Sequence, residues 1–209
     1  MKTSISITKV KNNINETLNE LLMTDTDYIH IDMMDGKFVE QVQQLPSEVI
    51  PLCKDINKLL DVHMMVDDPF PLIREMSVLN NINNITIHYE IGNTESYIDC
   101  IHELGYKAGI AINPNTIVND IKQYLDNVDM VLIMGVYPGL GGQKLIDETV
   151  NKIKELVDLR NQYGFKYEIE FDGGVNEETR KLLDGLDIIV SGSYVCLADN
   201  MQDAINKLR

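Results

Sequence analysis

Short apolar runs rich in β-branched residues alternate along the chain with longer amphipathic segments. Because parallel neighbours need a crossover element between them, this alternation predicts a parallel sheet covered by helices. Helical spacing is clearest at 146–161, where apolar residues recur every third or fourth position beside a charged face, and a last helix is predicted at 199–208. The predicted strands are 3–8, 27–33, 58–65, 84–89, 107–112, 129–134, 167–171 and 187–191.

Eight strand–helix units in 209 residues leave about 26 residues for each unit, near the lower limit for a (β/α)₈ barrel. A doubly wound open sheet is the alternative. The first strand is not followed by the GxGxxG turn typical of such sheets, and polar residues recur at the carboxyl ends of many strands, which converge on one site in a barrel. We therefore predict an α/β protein with a single (β/α)₈ TIM barrel domain over residues 1–209.

Composition and charge narrow the classes of ligand and location. The formal net charge of -15 disfavours nucleic acid as a partner, and a phosphate site on such a chain should be built mainly from backbone N–H groups. The three cysteines have no CxxC spacing, which favours a reducing cytoplasm over a disulfide framework. We expect no signal peptide and no membrane partner, because no apolar run approaches 18 residues.

His30 and Asp32 lie near the end of the strand predicted at 27–33. Residues two apart on a strand share a face, so both side chains project together while Ile31 points toward the covering helices. Imidazole and carboxylate groups are ligands for zinc, iron, cobalt and manganese. Taken alone, the pair is more typical of a solvent-facing pair or of a hydrogen-bonded core histidine.

Two further strand ends carry the same kinds of ligand. His63 lies near the end of the next strand, and Asp172 directly follows the strand predicted at 167–171. The ends of neighbouring barrel strands lie together, so the three strand ends favour one divalent metal site over chance placement.

Glycines follow the last three predicted strands. They give the backbone close access to a ligand and favour a phosphate site, although each pair taken singly is equally typical of a tight turn. Met34, Met65 and Met134 also lie near strand ends, where methionine is usually core filler but could line a metal site. The glycine-containing stretches are Gly139-Leu140-Gly141-Gly142, Gly173-Gly174 and Ser191-Gly192-Ser193.

These motifs resemble the ribulose-phosphate 3-epimerase family, including its allulose-6-phosphate epimerase relatives. The resemblance covers almost the whole chain in order, and the series HxDxMDGxFV, PGxGGQ and DGG is highly specific. The stretches that carry it are HIDMMDGKFV (30–39), DVHMMV (61–66), IHYE (87–90), KAGIAINPNT (107–116), VLIMGVYPGLGGQK (131–144), IEFDGG (169–174) and VSGS (190–193).

The resemblance implies an isomerase of carbohydrate metabolism, in the pentose phosphate pathway, that epimerises carbon 3 of a ketose phosphate. It implies that His30, Asp32, His63 and Asp172 hold one divalent ion, which stabilises an enediolate. Asp32 and Asp172 would exchange protons on opposite faces of the substrate, because a single base could only return the proton to the face it left. Relatives of this kind are often homo-oligomers.

The resemblance also implies a set of substrate contacts. The methionines would shield the intermediate, and the glycines would hold the phosphate. The implied substrate-binding residues are Ser4, His63, Met34, Met65, Met134, Gly139, Leu140, Gly141, Gly142, Gly173, Gly174, Gly192 and Ser193.

The chain departs from the family pattern around the expected rim of the site. Glu40 and Gln41 replace Pro-Asn, while Gly135 and Tyr137 replace the commoner residues of their loop. None of these changes removes a ligand. We therefore predict D-ribulose 5-phosphate as substrate, with allulose 6-phosphate or a non-catalytic sugar-phosphate-binding paralogue as alternatives.

Overall fold

The computed structural model describes residues 1–7 and 13–209. Thr8, the last residue of the first predicted strand, lies outside the described residues. The strands are β1 (Lys2–Ser6), β2 (Tyr28–Asp35), β3 (Val42–Gln43), β4 (Leu59–Met65), β5 (Ile82–His88), β6 (Lys107–Ile112), β7 (Met130–Met134), β8 (Glu168–Asp172) and β9 (Ile188–Ser191).

The sheet closes on itself. β1 pairs in parallel with both β9 and β2, and the remaining strands follow in the order β8, β7, β6, β5, β4 between those two. This closure confirms the predicted barrel of parallel strands and excludes the open sheet. The two residues of β3 were not predicted; they pair antiparallel with the end of β2, which extends that strand to Asp35.

Helices cover the outside of the barrel. Asparagine or aspartate caps several of them: the side chain of Asn13 accepts the N–H of Glu16 at the start of α1, and Asn200 accepts that of Asp203 at the start of α7. No helix in the described part of the chain has the length and apolar character needed to cross a membrane. The α-helices are α1 (Ile14–Leu22), α2 (Pro46–Cys53), α3 (Pro69–Met76), α4 (Thr94–Glu103), α5 (Asn151–Tyr163), α6 (Ser193–Cys196) and α7 (Met201–Leu208).

Among the described residues, four connections contain 3₁₀ turns. The predicted helix 146–161 begins as the 3₁₀ turn Asp147–Val150 and continues as α5 to Tyr163. Val118–Tyr124 and Thr179–Leu182 form the main helical turns between β6 and β7 and between β8 and β9. The fourth turn, Tyr89–Ile91, directly follows β5.

The two faces of the sheet differ in polarity. Outward-facing residues such as Ile29, Ile31 and Met33 are completely buried against the helices, as the alternation along β2 predicts. Barrel interiors are usually filled by branched apolar side chains. Here the interior also contains polar side chains that are completely buried: Ser4, His30, Asp61, His63, Asn84, Thr86, His88 and Glu170.

Candidate active site

The side chains of His30, Asp32, His63 and Asp172 meet at the carboxyl end of the barrel. Each offers one ligand atom, and these atoms all lie within 4.8 Å of one another. The strand register produces this arrangement, because Asp32 on β2 lies beside His63 on β4. The structure therefore brings together the four residues that the sequence predicts as one site.

His30 presents one ring nitrogen to this cluster. Its Nδ1 lies 2.6 Å from Oδ2 of Asp61, while its Nε2 lies 3.3 Å from Oδ1 of Asp32 and has no hydrogen-bond partner. A completely buried nitrogen without a hydrogen bond is costly unless it serves a ligand. Two imidazoles and two carboxylates form a donor set that fits a divalent transition metal.

Asp61 lies beneath the cluster with both oxygens engaged. Ser4 donates to Oδ2 at 2.6 Å, and the amide of Asn84 donates to Oδ1 at 2.6 Å. Burial would raise the pKa of Asp61, yet His30, Glu170 and Ser4 lower it. Burial would lower the pKa of His30, but the charges of Asp61 and Asp32 raise it well above its ordinary value.

His63 presents its Nδ1, and not its Nε2, to this cluster. Its Nδ1 lies 3.3 Å from Oδ1 of Asp32, and its Nε2 lies 2.9 Å from Nε2 of His88. Burial lowers the pKa of His88 to about 4, so that this ring is neutral. The sequence analysis did not assign His88 a role, although its position as the last residue of β5 was a signal that could have found it.

Asp32 and Asp172 have opposite proton affinities. Burial would raise the pKa of Asp32, but His30 and His63 lower it well below its usual range. Burial, and then the charge of Asp32, raise the pKa of Asp172 to about 7. Ser6 fixes the orientation of Asp32 by donating to its Oδ2 at 2.6 Å. Two carboxyl groups with separated pKa values can act as a base and an acid at the same pH.

A cavity of about 660 Å³ opens above the cluster. Asp32 and Asp172 form part of its wall, together with the three predicted methionines, which are almost completely buried. The other predicted contacts that line this cavity are Gly139, Leu140, Gly141, Gly142, Gly173, Gly174, Gly192 and Ser193.

Two predicted substrate contacts lie beneath the cavity. Ser4 and His63 are completely buried and do not line it, and their contacts with the substrate stay a prediction. Ser6, two residues further along β1 on the same face, lines the cavity.

The glycine loops after β7 and β8 have backbone conformations that other residues rarely adopt. Gly139, Gly142, Gly173 and Gly174 all have positive φ angles. At Gly174 a Cβ atom would also lie 2.5 Å from the backbone nitrogen of Leu145. These glycines are therefore required by the path of the chain, in addition to any role toward a ligand.

The four rim residues that depart from the family pattern differ from one another in their surroundings. Gly135 has no room for a side chain, because a Cβ atom would lie 2.4 Å from the ring of Phe171. Tyr137 is 53% exposed and lines the cavity. Gln41 approaches Gly139, where its Oε1 would lie 2.8 Å from an added Cβ atom, whereas Glu40 is exposed.

Comparisons with known proteins agree with this geometry. A sequence model described as the ribulose-phosphate 3 epimerase family matches residues 2–196. The chain is 37% identical to ribulose-phosphate 3-epimerase of Bacillus subtilis (strain 168) over 188 residues, which cover 88% of this chain and 86% of that protein. It is 33% identical to ribulose-phosphate 3-epimerase of Chlamydia pneumoniae, with 91% and 86% covered.

Solved structures of lower identity share the fold. One is 3-keto-L-gulonate-6-phosphate decarboxylase from Vibrio cholerae, with a TM-score of 0.69, 17% identity, and 100% of this chain and 95% of that chain covered. Another is 3-hexulose-6-phosphate synthase from Salmonella typhimurium, with a TM-score of 0.66, 16% identity, and coverage of 100% and 96%.

Proposed function

Because this chain belongs to the ribulose-phosphate 3-epimerase family, we propose that it interconverts D-ribulose 5-phosphate and D-xylulose 5-phosphate. The observation that carries this proposal is the pair of carboxyl groups, Asp32 and Asp172, which share one cavity wall and converge with His30 and His63 on one cluster. Epimerisation needs one group to remove a proton and another to deliver one from the opposite side.

In this proposal, His30, Asp32, His63 and Asp172 hold one divalent ion, which is zinc, iron, cobalt or manganese. The ion supplies positive charge that stabilises the negative charge developing on the substrate oxygens. The Nε2 of buried His30 supports this assignment, because it has no hydrogen-bond partner among the described residues and faces the cluster, 3.3 Å from Oδ1 of Asp32.

Asp32 and Asp172 perform the proton transfers. The ionised carboxylate of Asp32 removes the proton from carbon 3, and the protonated carboxyl of Asp172 delivers a proton to the opposite face of that carbon. The two residues exchange these tasks in the reverse direction. Ser6 orients the carboxylate of Asp32 for the first step. It donates a hydrogen bond to Oδ2 of Asp32, while Oδ1 of Asp32 faces the histidines.

The remaining contacts are assigned by their position in the cavity. Met34, Met65 and Met134 exclude water from the intermediate, while Gly173, Gly174, Gly192 and Ser193 receive the phosphate. The loop Gly139-Leu140-Gly141-Gly142 covers the substrate. Homo-oligomer formation and location in the cytoplasm also belong to this proposal.

The test is an assay with ribulose 5-phosphate in deuterated solvent, after reconstitution with each of the four metals. We expect xylulose 5-phosphate to form with one solvent deuteron at carbon 3. Absence of turnover with every metal would contradict the proposal. The same assay with allulose 6-phosphate compares the two sugars, and a higher kcat/KM for the six-carbon substrate would reassign the specificity.

A further inference from the structure

A line of polar side chains leads from His63 away from the cavity. His63 Nε2 lies 2.9 Å from Nε2 of His88, and His88 Nδ1 lies 3.0 Å from Oε2 of Glu90. His63 and His88 are completely buried on neighbouring strands, whereas Glu90 lies on the 3₁₀ turn that follows β5. The proposed proton transfers use neither His88 nor Glu90.

The second oxygen of Glu90 is held by two donors. The backbone N–H of Asn113 donates to Oε1 at 2.8 Å, and the hydroxyl of Thr116 donates to it at 2.5 Å. Lys152 donates to the carbonyl of Asn113 at 2.7 Å, which fixes the position of that peptide. The carboxylate therefore has a defined orientation, with Oε2 directed at His88.

With an ion in the proposed metal site, these contacts assign every proton along the line. A metal-binding Nδ1 of His63 carries no proton, so the proton of this ring lies on Nε2 and is donated to Nε2 of His88. His88 therefore carries its proton on Nδ1 and donates it to the carboxylate of Glu90, which only accepts hydrogen bonds. Nδ1 of His63 is the ring nitrogen that faces the cluster, 3.3 Å from Oδ1 of Asp32.

We propose that Glu90 and His88 are positioning residues, which act through hydrogen bonds to hold the Nδ1 lone pair of His63 toward the metal. This inference rests on the proposed metal site. It also explains how the two histidine ligands present different nitrogens: Asp61 contacts Nδ1 of His30, so that Nε2 faces the cluster, whereas the line through His88 engages Nε2 of His63, so that Nδ1 faces the cluster.

Glu90→Gln tests the direction of the hydrogen bonds with almost no change in shape. The donors from Asn113 and Thr116 hold the carbonyl oxygen of the new amide at the position of Oε1. Its NH₂ group then faces His88 and donates to Nδ1, which moves the His88 proton to Nε2. His63 must accept that proton's hydrogen bond, and its own proton moves to Nδ1, where it opposes metal binding.

The first readout is the tautomer of His88 in the full-length, metal-free protein, measured by ¹⁵N–¹H correlation spectra of the histidine rings. We expect a proton on Nδ1 of His88 in the unsubstituted protein, where Glu90 accepts it, and a proton on Nε2 alone in Glu90→Gln. The second readout is Co²⁺ affinity from visible absorption, with an expected loss of about 10- to 100-fold. An unchanged tautomer in Glu90→Gln would overturn the proposal, as would an unchanged affinity.

Asp129→Asn is the matched control. Oδ2 of Asp129 also lies 2.9 Å from a histidine ring nitrogen, Nε2 of His102, and accepts a backbone N–H, that of Ala108, at 2.9 Å. These contacts lie at the opposite end of the barrel. The substitution should leave the His88 tautomer and the Co²⁺ affinity unchanged. A similar loss in this variant would assign the effect of Glu90→Gln to general destabilisation.

His88→Gln, alone and combined with Glu90→Gln, provides a second test. A glutamine can turn its carbonyl oxygen toward the N–H of His63 whatever residue 90 donates or accepts. Adding Glu90→Gln to His88→Gln should therefore cause less than a twofold further loss of Co²⁺ affinity. A further loss as large as that of Glu90→Gln alone would overturn the proposal that Glu90 acts through His88. Failure of the unsubstituted protein to bind Co²⁺ would instead refute the metal site. The tautomer measurement would still decide whether Glu90 sets the direction of the hydrogen bonds along the line.

Discussion

The two halves of the cavity are built from different parts of the chain. On one side, buried side chains from β2, β4 and β8 converge within 4.8 Å and are fixed by their neighbours' hydrogen bonds. On the other side, the loops after β7 and β8 present glycine backbone with positive φ angles. The comparison indicates a division of labour, in which strands position charge and loops shape the space for the rest of the substrate.

The largest expected effect that separates the two halves is that of Asp172→Asn. The amide cannot deliver or accept a proton, so we expect kcat to fall by about 10²- to 10⁴-fold with a small change in KM. Steady-state kinetics with ribulose 5-phosphate measures this. In a non-catalytic sugar-phosphate-binding paralogue, Asp172→Asn would cost little beyond some metal affinity. Sugar-phosphate binding without any turnover in the unsubstituted protein would favour that alternative.

A smaller effect concerns the stability of the metal-free protein against pH. The pKa of Asp172 is about 7 when folded, above its ordinary value of 3.8, so the folded state holds this proton longer than the unfolded state. Stability contributed by this group is therefore lost as pH rises from about 4 to 7. Asp172→Asn should gain up to about 4 kcal/mol relative to the unsubstituted protein across that range, less where the cavity admits water.

Urea unfolding at pH 5, 6 and 7 in the presence of a chelator measures this difference. The gain should reverse when metal is added, because only the unsubstituted protein has the full ligand set. A constant difference across the three pH values would mean that Asp172 titrates as an ordinary carboxyl group.

The smallest effect belongs to the loop half. Gly174→Ala places a Cβ 2.5 Å from the backbone of Leu145 at a positive φ, so we expect kcat/KM to fall about tenfold through KM. Gly142→Ala is the matched control, because its φ is also positive but its Cβ would meet nothing within 4 Å. Both variants should bind Co²⁺ normally, and a loss of metal affinity in either would contradict the independence of the two halves.

Much of the fold follows from the sequence because its signals are local. Alternation along 27–33 predicted that His30 and Asp32 share a face, and the structure confirms it. Depth along a strand is not local, since it depends on the register of β1 against β2 and β9. For this reason the sequence did not indicate that Ser6 lines the cavity, or that Ser4 contacts Asp61 beneath it.

Contacts between distant loops were equally inaccessible to sequence reasoning. Glu90 belongs to a recognised stretch, but its partners Asn113 and Thr116 come from the connection after β6. The lack of space at Gly135 depends on Phe171, which lies on another strand. Such restrictions arise only when separate strands are assembled side by side.

The polar barrel interior has a consequence for protein engineering. Asp61 receives Ser4, His30 and Asn84 at 2.6 Å each, so every member of this group depends on the others for its hydrogen bonds. Replacing one member with an aliphatic residue leaves a buried charge or donor without a partner, which lowers stability. Replacing all members together avoids this cost. Thermostable variants should therefore be sought among multiple substitutions made together, and single-site libraries at these positions should yield almost only losses.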